Sequence, residues 1–458
     1  MQDLLIKNGK VLLFKENDVV IEQKDILVQN GKIIKIEDSI EKEEIQNDEI
    51  NNETKKCEEQ DAIIMAENEK IKVIDAANHI VMPGLINTHA HVPMSVFRET
   101  TEGCKLYEWL NEQIWPREDK LTREDIYWAS MISYIEMIST GTTCINDQYF
   151  MPEEIRQAAI DCKVRAVITR PIVDTDGSFE ERVKEFRNFY QSRDENEDLI
   201  TYSVAPHSLY TCSDKCLQTT ADLAREYNLP IHVHFLESID EIEDIKKQHG
   251  RSAIDVLKEY FDGIHTILAH GVHLNDHDID VLKTMDCGIA HNPISNMRLG
   301  CTIADTTKYL KEGINVALGT DGQGSGSNLD MFEAMRVACL IQGGIHENED
   351  RLTAKDVIRM ATINGAKLLG LEEKVGSIET GKDADLILVN IEENLDNITM
   401  IPNLNEISNL VYNTSGKNVD TTIVKGNVLM KNRKLQIDNV NVEEVIERCN
   451  QIAKRIAE

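Results

Sequence analysis

His89 and His91 stand two residues apart in PGLINTHAH, at the end of a short apolar run. A β-strand has period two, so both imidazoles would leave the same face and could offer two nitrogens to one metal ion. A lone His-x-His pair is incidental in most chains. This pair has company: His234 in HVHFLE, His270 in LAHGV and Asp321 in LGTDG each end a later apolar run. Neutral imidazoles with one carboxylate suit zinc and leave a coordination position open for water. Any one of them alone would read as a core histidine or a capping aspartate; their recurrence at strand ends sets them apart. Glu237 follows His234 by three residues, where its carboxylate could move the proton of a water activated by such an ion. Without that neighbourhood it would read as a solvated glutamate in ESIDEIED. His232 shares a face with His234 one pleat deeper, which suits packing or support of the ligands. His207 ends the APHS run where a two-metal site would want a bridging group, and the absence of a lysine there favours a single ion.

These residues need a scaffold that brings many strand ends together. From IKVIDAANHIVMPG to about Leu369, short apolar runs alternate with amphipathic stretches of roughly 10–20 residues, the pattern of parallel βα units. The runs end at INTHAH, TTCIND, AVITRP, YSVAPHS, IHVHFLE, TILAHGV, CGIAHNP and NVALGTDG. Eight regularly spaced strands predict an α/β fold, a TIM-like (β/α)8 barrel, and the candidate residues fall at the carboxyl ends where such barrels do chemistry. Residues 3–36 read as three β segments, with Asn-Gly at 8–9 and 30–31 as hairpin turns. Residues 37–70 hold 13 acidic and 4 basic residues and read as a solvated, mobile insertion. After the barrel, KVGSIETGKDADLILVN and TTIVKGNVLMKNRKLQ return to β, and 442–457 reads as a terminal helix. The expected division is a barrel over 83–374 and a small β-sandwich domain built from 1–82 and 375–458.

Composition limits what such a site serves. The 458 residues carry 49 Lys+Arg against 80 Asp+Glu, a net charge of −31, which repels nucleic-acid backbones and anionic lipid. The chain start lacks a basic flank with an apolar run, and no stretch of about 18 apolar residues occurs, so a soluble cytoplasmic protein is expected. Ten cysteines without a CxxC pair read as buried reduced thiols. The Gly-rich GTDGQGSGSN lacks the phosphate-loop pattern, and its glycines read as room for backbone close to a ligand.

In order along the chain, PGLINTHAH, YEWLNEQIWPRED, IHVHFLE, LAHGVHL, AHNPISNMRLG, LGTDG and DMFEAMR resemble the amidohydrolase superfamily, and within it the 5′-methylthioadenosine/S-adenosylhomocysteine deaminases. The resemblance spans the chain apart from the acidic segment. It implies His89, His91, His234 and Asp321 as ligands of one divalent ion, Zn2+ first, with Fe2+, Mn2+ and Ni2+ as alternatives. It implies Glu237, His270 and Asp321 as the proton-transfer and polarising residues. Glu118 in WPRED matches the ribose-hydroxyl contact, and Arg170, Arg182 and His207 match other substrate positions. A glutamate can accept both hydrogen bonds of a diol, and paired arginines suit the carboxylate of a homocysteine tail. The implied activity is hydrolytic deamination of an adenosine derivative, with a purine nucleoside as the partner and homo-oligomerisation left open. The ligand set alone does not separate this from guanine, cytosine, pterin or triazine substrates, and a non-catalytic scaffold on the same fold is the reading from another class. One departure concerns the loop after Asp321: where the family runs close to TDGAASNN, this chain has TDGQGSGSN, placing Gly326 and Ser327 at the asparagine positions. It bears on substrate preference rather than on the metal ligands.

Overall fold

The structure, a computed structural model, describes residues 2–16, 18–41, 71–346, 351–391 and 405–458. The bulk of the acidic segment, expected to be mobile, lies outside them. The chain opens on three long strands, β1 (Leu4–Lys15), β2 (Asp18–Gln29) and β3 (Lys32–Glu37), followed by β4 (Lys72–Asp75) and β5 (His79–Pro83). Asn30 and Gly31, with φ of 51° and 78°, form the expected tight turn between β2 and β3. The other Asn-Gly is not a turn. Asn8 and Gly9 lie inside β1, where the register against β2 shifts between Ile6 and Gly9. The left-handed Asn8 (φ 61°) is held there by Asp25 Oδ1, which accepts its N–H at 2.8 Å, and by Asp75 Oδ1, which accepts its Nδ2–H at 3.0 Å. Long-range pairing on both sides of the strand turns a local turn signal into a bulge.

The strands of the central region follow the predicted runs closely. They are β6 (Leu85–Ala90), β7 (Thr142–Gln148), β8 (Arg165–Thr169), β9 (Pro171–Ile172), β10 (Ile200–Tyr202), β11 (Ala205–Pro206), β12 (Ile231–Phe235), β13 (Thr266–His270), β14 (Cys287–His291) and β15 (Asn315–Leu318). The third and fourth runs each come as two short pieces. All pairings here are parallel: β6 with β7, β7 with β8, β8 with β10, β9 with β11, and β12 through β15 in order. Parallel bridges from Val204 to Ile231 and from Ser208 to His234 carry the pairing on to β12. Every residue of β6, β7, β8, β12 and β13 is buried, as expected of parallel strands covered by helices on one face and a filled interior on the other.

After this region come β16 (Leu386–Asn390), β17 (Val419–Val424), β18 (Asn427–Lys431), β19 (Lys434–Leu435) and the helix Val442–Ala457, with the predicted bounds. Both chain ends meet in one nine-stranded sheet, ordered β19-β18-β17-β16-β5-β1-β2-β3 with β4 on β1. The seam is β5 against β16, antiparallel from His79 with Asn390 to Pro83 with Leu386. All nine described cysteines are free thiols. No helix among the described residues is long and apolar enough to cross a membrane.

One buried ion cluster joins this sheet to the parallel strands. Arg165, at the start of β8 and 1% exposed, donates from Nε to Asp385 Oδ2 at 2.9 Å and from Nη2 to Asp383 Oδ2 at 3.0 Å. Asp385 also accepts the Lys425 N–H at 2.8 Å, so its oxygens are bonded from both parts of the chain. Removing one partner of such a cluster strands a buried charge, whereas replacing the charges together does not. Asp385→Ala should therefore cost about 3–5 kcal/mol in urea unfolding, and adding Arg165→Met with Asp383→Asn should restore part of that loss.

Candidate active site

The carboxyl ends of β6, β12, β13 and β15 bring His89, His91, His234, Glu237, His270 and Asp321 together. Period two in β6 sends His89 and His91 to the same side, with ring centroids 4.9 Å apart, and His234 lies 4.9 Å from His89 and 5.3 Å from His91. Asp321 Oδ1 is 3.5 Å from His89 Nε2 and 3.2 Å from His91 Nε2. Two overlapping groups, His89 with His91 and Asp321, and His89 with His234 and His270, have geometry able to hold a metal ion, as does Glu237 with His270 and Asp321.

The far ring nitrogens decide what the near ones can do. His91 Nδ1 donates to Gln148 O at 2.7 Å, and His234 Nδ1 donates to His207 O at 2.7 Å. Each Nδ1 proton is thereby committed, so the two Nε2 atoms, 3.3 Å apart, are the ones that can turn lone pairs to an ion once free of a proton. His89 Nε2 is buried without a hydrogen-bond partner, while its Nδ1 lies 2.9 Å from His232 Nε2, placing one proton between the rings. Three lone pairs converging beside a carboxylate fit a divalent cation and little else. His232 thus stands behind His89, one pleat deeper in its strand than His234.

Titration follows from burial and these neighbours. Burial opposes charge on His91, yet the hydrogen bond and charge of Asp321 outweigh it and raise the imidazole to about 9, so a cation taken up at Nε2 would displace a proton there. Asp321 is likewise penalised by burial but held well below the usual carboxylate range by His89 and His91. Ser295 and Ser325 donate to its Oδ2 at 2.6 and 3.0 Å. Glu237 goes the other way: burial, with Asp321 and Glu241 nearby, holds it well above the usual range, which suits a group that takes a proton and gives it back. His270 is lowered to about 3, chiefly by burial, and is neutral. Asn296 Nδ2 donates to its Nδ1 at 2.8 Å, leaving Nε2–H on the side of Glu237 Oε2, 3.6 Å away. Leu236, His270 and Asp321 have φ of 49°, 77° and 61°, so three non-glycine residues at the strand ends sit in left-handed backbone.

Of the remaining predicted residues, Glu118 and His207 neighbour this cluster and Arg182 acts on both through its charge. Glu118 ends a helical stretch, Leu106–Glu108, Trp109–Ile114 and Trp115–Glu118, whose middle part is a π-helix. Tyr149 donates to Glu118 Oε1 at 2.5 Å, and its ring centroid is 6.2 Å from that of His91. His207, lowered to about 3 by burial and then by the charge of His91, has its ring centroid 4.7 Å from that of His234. Arg170 and Arg182 are already paired, with Glu185 at 2.8 Å and with Asp176 respectively. At the departing loop, a Cβ on Gly326 would lie 2.7 Å from Thr320 O, so this backbone does not accept the family's asparagine there.

Several contributors escape a motif reading. Asp147 is the second-last residue of β7 and Tyr149 follows the strand, and Asp147 Oδ1 fixes the turn after His91 by accepting the Val92 N–H at 2.6 Å. Their position at a strand's carboxyl end is the signal that could have found them. Asn296 and Ser295 act only through the fold.

Residues 80–429 match the amidohydrolase family. The chain is 37% identical over 459 residues, covering 99% of both chains, to the 5-methylthioadenosine/S-adenosylhomocysteine deaminase of Thermoanaerobacter pseudethanolicus. It is 39% identical over 396 residues, 85% of this chain and 92% of the other, to the 5′-deoxyadenosine deaminase of Methanocaldococcus jannaschii. Among solved structures, an adenosine deaminase from Xanthomonas campestris with bound zinc superposes with a TM-score of 0.85 at 25% identity, over 100% of this chain and 99% of that one. The chain belongs to the amidohydrolase family.

Proposed function

We propose that this protein is a metal-dependent hydrolase that deaminates an adenosine derivative, 5′-methylthioadenosine, S-adenosylhomocysteine, 5′-deoxyadenosine or adenosine, to the inosine-type product and ammonia. The observation that carries the reading is the convergence of the His89, His91 and His234 lone pairs on the Asp321 carboxylate, with Glu237 and His270 facing each other beside it. Relatives named for adenosine-type deamination along most of the chain support the substrate class.

The scaffold belongs to the same reading. Closure of the parallel strands into a (β/α)8 barrel over 83–374 is supported by bonds from the last strand to the first: Asp321 N–H to His89 O at 3.0 Å, and Thr88 Oγ1–H to Leu318 O at 2.8 Å. A β-sandwich from 1–82 and 375–458 is supported by the buried apolar cluster of Leu4, Val28, Ile33, Val81, Leu388 and Ile423, to which strands from both chain ends contribute.

His89, His91, His234 and Asp321 would hold one divalent ion, with Zn2+ the first candidate. Such an ion lowers the pKa of a bound water toward neutrality. Glu237 takes the proton of the attacking water on its carboxylate and passes it to N1 of the purine as C6 becomes tetrahedral. His270, donating from Nε2, and the Asp321 carboxylate stabilise the charges that develop around C6. The second proton of that water, on the new C6 hydroxyl, then moves to the amino group, so that the C6–N bond breaks, ammonia leaves and the carbonyl forms. Glu118, oriented by the Tyr149 hydroxyl, accepts from the ribose hydroxyls and sets the distance between sugar and reacting ring. Arg170, Arg182 and His207 face the 5′ substituent. The acidic surface keeps nucleic acid away, and the free thiols suit a cytoplasmic setting.

Three measurements test this. Purified, metal-loaded protein should change adenine absorbance with at least one of the four nucleosides, and silence with all of them would sink the reading. Glu237→Gln should retain one equivalent of metal and lose about 10²–10⁴-fold in kcat, whereas His234→Ala should lose metal and turnover together. Tyr149→Phe should raise KM about tenfold with kcat largely kept, because it frees the Glu118 carboxylate without touching the reacting atoms.

A further inference from the structure

We propose that Asp176 is a specificity-determining residue: it occupies the Arg182 guanidinium as a built-in counter-ion and so disfavours substrates with a carboxylate in the 5′ tail relative to those with an uncharged tail. This rests on the proposed adenosine-type function and refines it.

Arg182 lies in the helix Phe179–Gln191, one turn after a tight turn at Asp176, Gly177 and Ser178 in which Gly177 has φ 78°. Asp176 Oδ1 accepts both the N–H of Ser178, at 2.9 Å, and its hydroxyl. Asp176 Oδ2 accepts from Arg182 Nη2, while Ser178 Oγ accepts from Arg182 Nε. The whole Nε/Nη2 edge of the guanidinium is thus taken by its own chain. That is one of the edges through which an arginine forks a carboxylate. Burial opposes the charge, but the hydrogen bonds from Ser178 and the hydrogen bond and charge of Arg182 together outweigh it and hold Asp176 down at about 2, a fixed negative charge at working pH.

Arg170 is matched in the same way. Its Nε donates to Glu185 Oε2 at 2.8 Å and its Nη1 to Pro171 O at 2.9 Å. Two cations that would draw a tail carboxylate thus have two anions already attached. An incoming carboxylate meets no net positive charge and must displace a bonded carboxylate of equal chemistry. An uncharged methylthio or methyl group displaces nothing. The arrangement is close enough to the pocket to matter, since the charge of Arg182 reaches both Glu118 and His207. With side chains 44% and 21% exposed, Asp176 and Arg182 are reachable from solvent rather than locked in the core.

The test is the ratio of kcat/KM for S-adenosylhomocysteine over 5′-methylthioadenosine, measured in parallel. Asp176→Asn can keep the Ser178 contacts through Oδ1 while removing both the charge and the acceptor that holds Arg182, and it should raise the ratio about tenfold. Glu181→Gln, an exposed carboxylate removed from the same helix, should leave it unchanged. In an Arg182→Gln background, adding Asp176→Asn should have no further effect on the ratio. An unchanged ratio in Asp176→Asn overturns the proposal, as does a fall, which would mean that Asp176 binds the tail ammonium. An equal shift with Arg182 absent also overturns it. A check without variants compares S-adenosylhomocysteine with its tail amide as ligands of the parent protein: similar affinity is expected, and a preference above tenfold for the acid overturns the proposal. Absence of turnover with all four nucleosides in the parent overturns both the function and this inference; turnover of 5′-deoxyadenosine or adenosine alone, or turnover with an unshifted ratio, overturns only the latter.

Discussion

Lone pairs of His91 and His234 face each other across 3.3 Å, beside a carboxylate and a third unpartnered imidazole nitrogen. Left to itself, a polypeptide would relax such a cluster by turning rings or admitting protons. Here the rings cannot turn, because each far nitrogen is spent on a fixed neighbour: Gln148 O, His207 O and His232. Those neighbours are fixed because they lie on, or at the ends of, strands buried on both faces. The parallel core, the left-handed backbone at Leu236, His270 and Asp321, and the serines on Asp321 all serve to keep electron-rich atoms converging on one point.

Acid and base behaviour divides across that point. Asp321 is held ionised by imidazoles, and Glu237, a few ångströms into the same apolar surroundings, is pushed toward its neutral form. The difference comes from position along the strand ends rather than from residue type. A proton acceptor that is also a competent donor arises when a carboxyl is buried without a cationic partner of its own, while the adjacent carboxylate monopolises the available positive charge.

Much of this was readable from the chain because barrels concentrate chemistry at strand ends and strands have period two. His89, His91, His234, Glu237, His270 and Asp321 could be picked out by where apolar runs stop. The bulge at Asn8-Gly9 was misread as a turn because its outcome depends on Asp25 and Asp75, partners 17 and 67 residues away. The counter-ions of Arg170 and Arg182 were not foreseen because an arginine in a charge-rich helix carries no mark of which acid it will hold. Tyr149 and Asn296 contribute through contacts that only the closed arrangement creates. What remained hidden was long-range pairing, whether of backbone or of charge.

The sheet shared by both chain ends has a consequence for synthesis. β5 finds its antiparallel partner β16 only after about 300 further residues have been made. At roughly 5–20 residues per second on the ribosome, that is a wait of about 15–60 s. During that interval β5 and the apolar face of β1 lack the strands that later cover them, so the parallel core must assemble beside an unfinished, sticky edge. The ion cluster of Arg165 with Asp383 and Asp385 forms only when the late segment arrives. It acts as a latch between the early and the late parts of the chain.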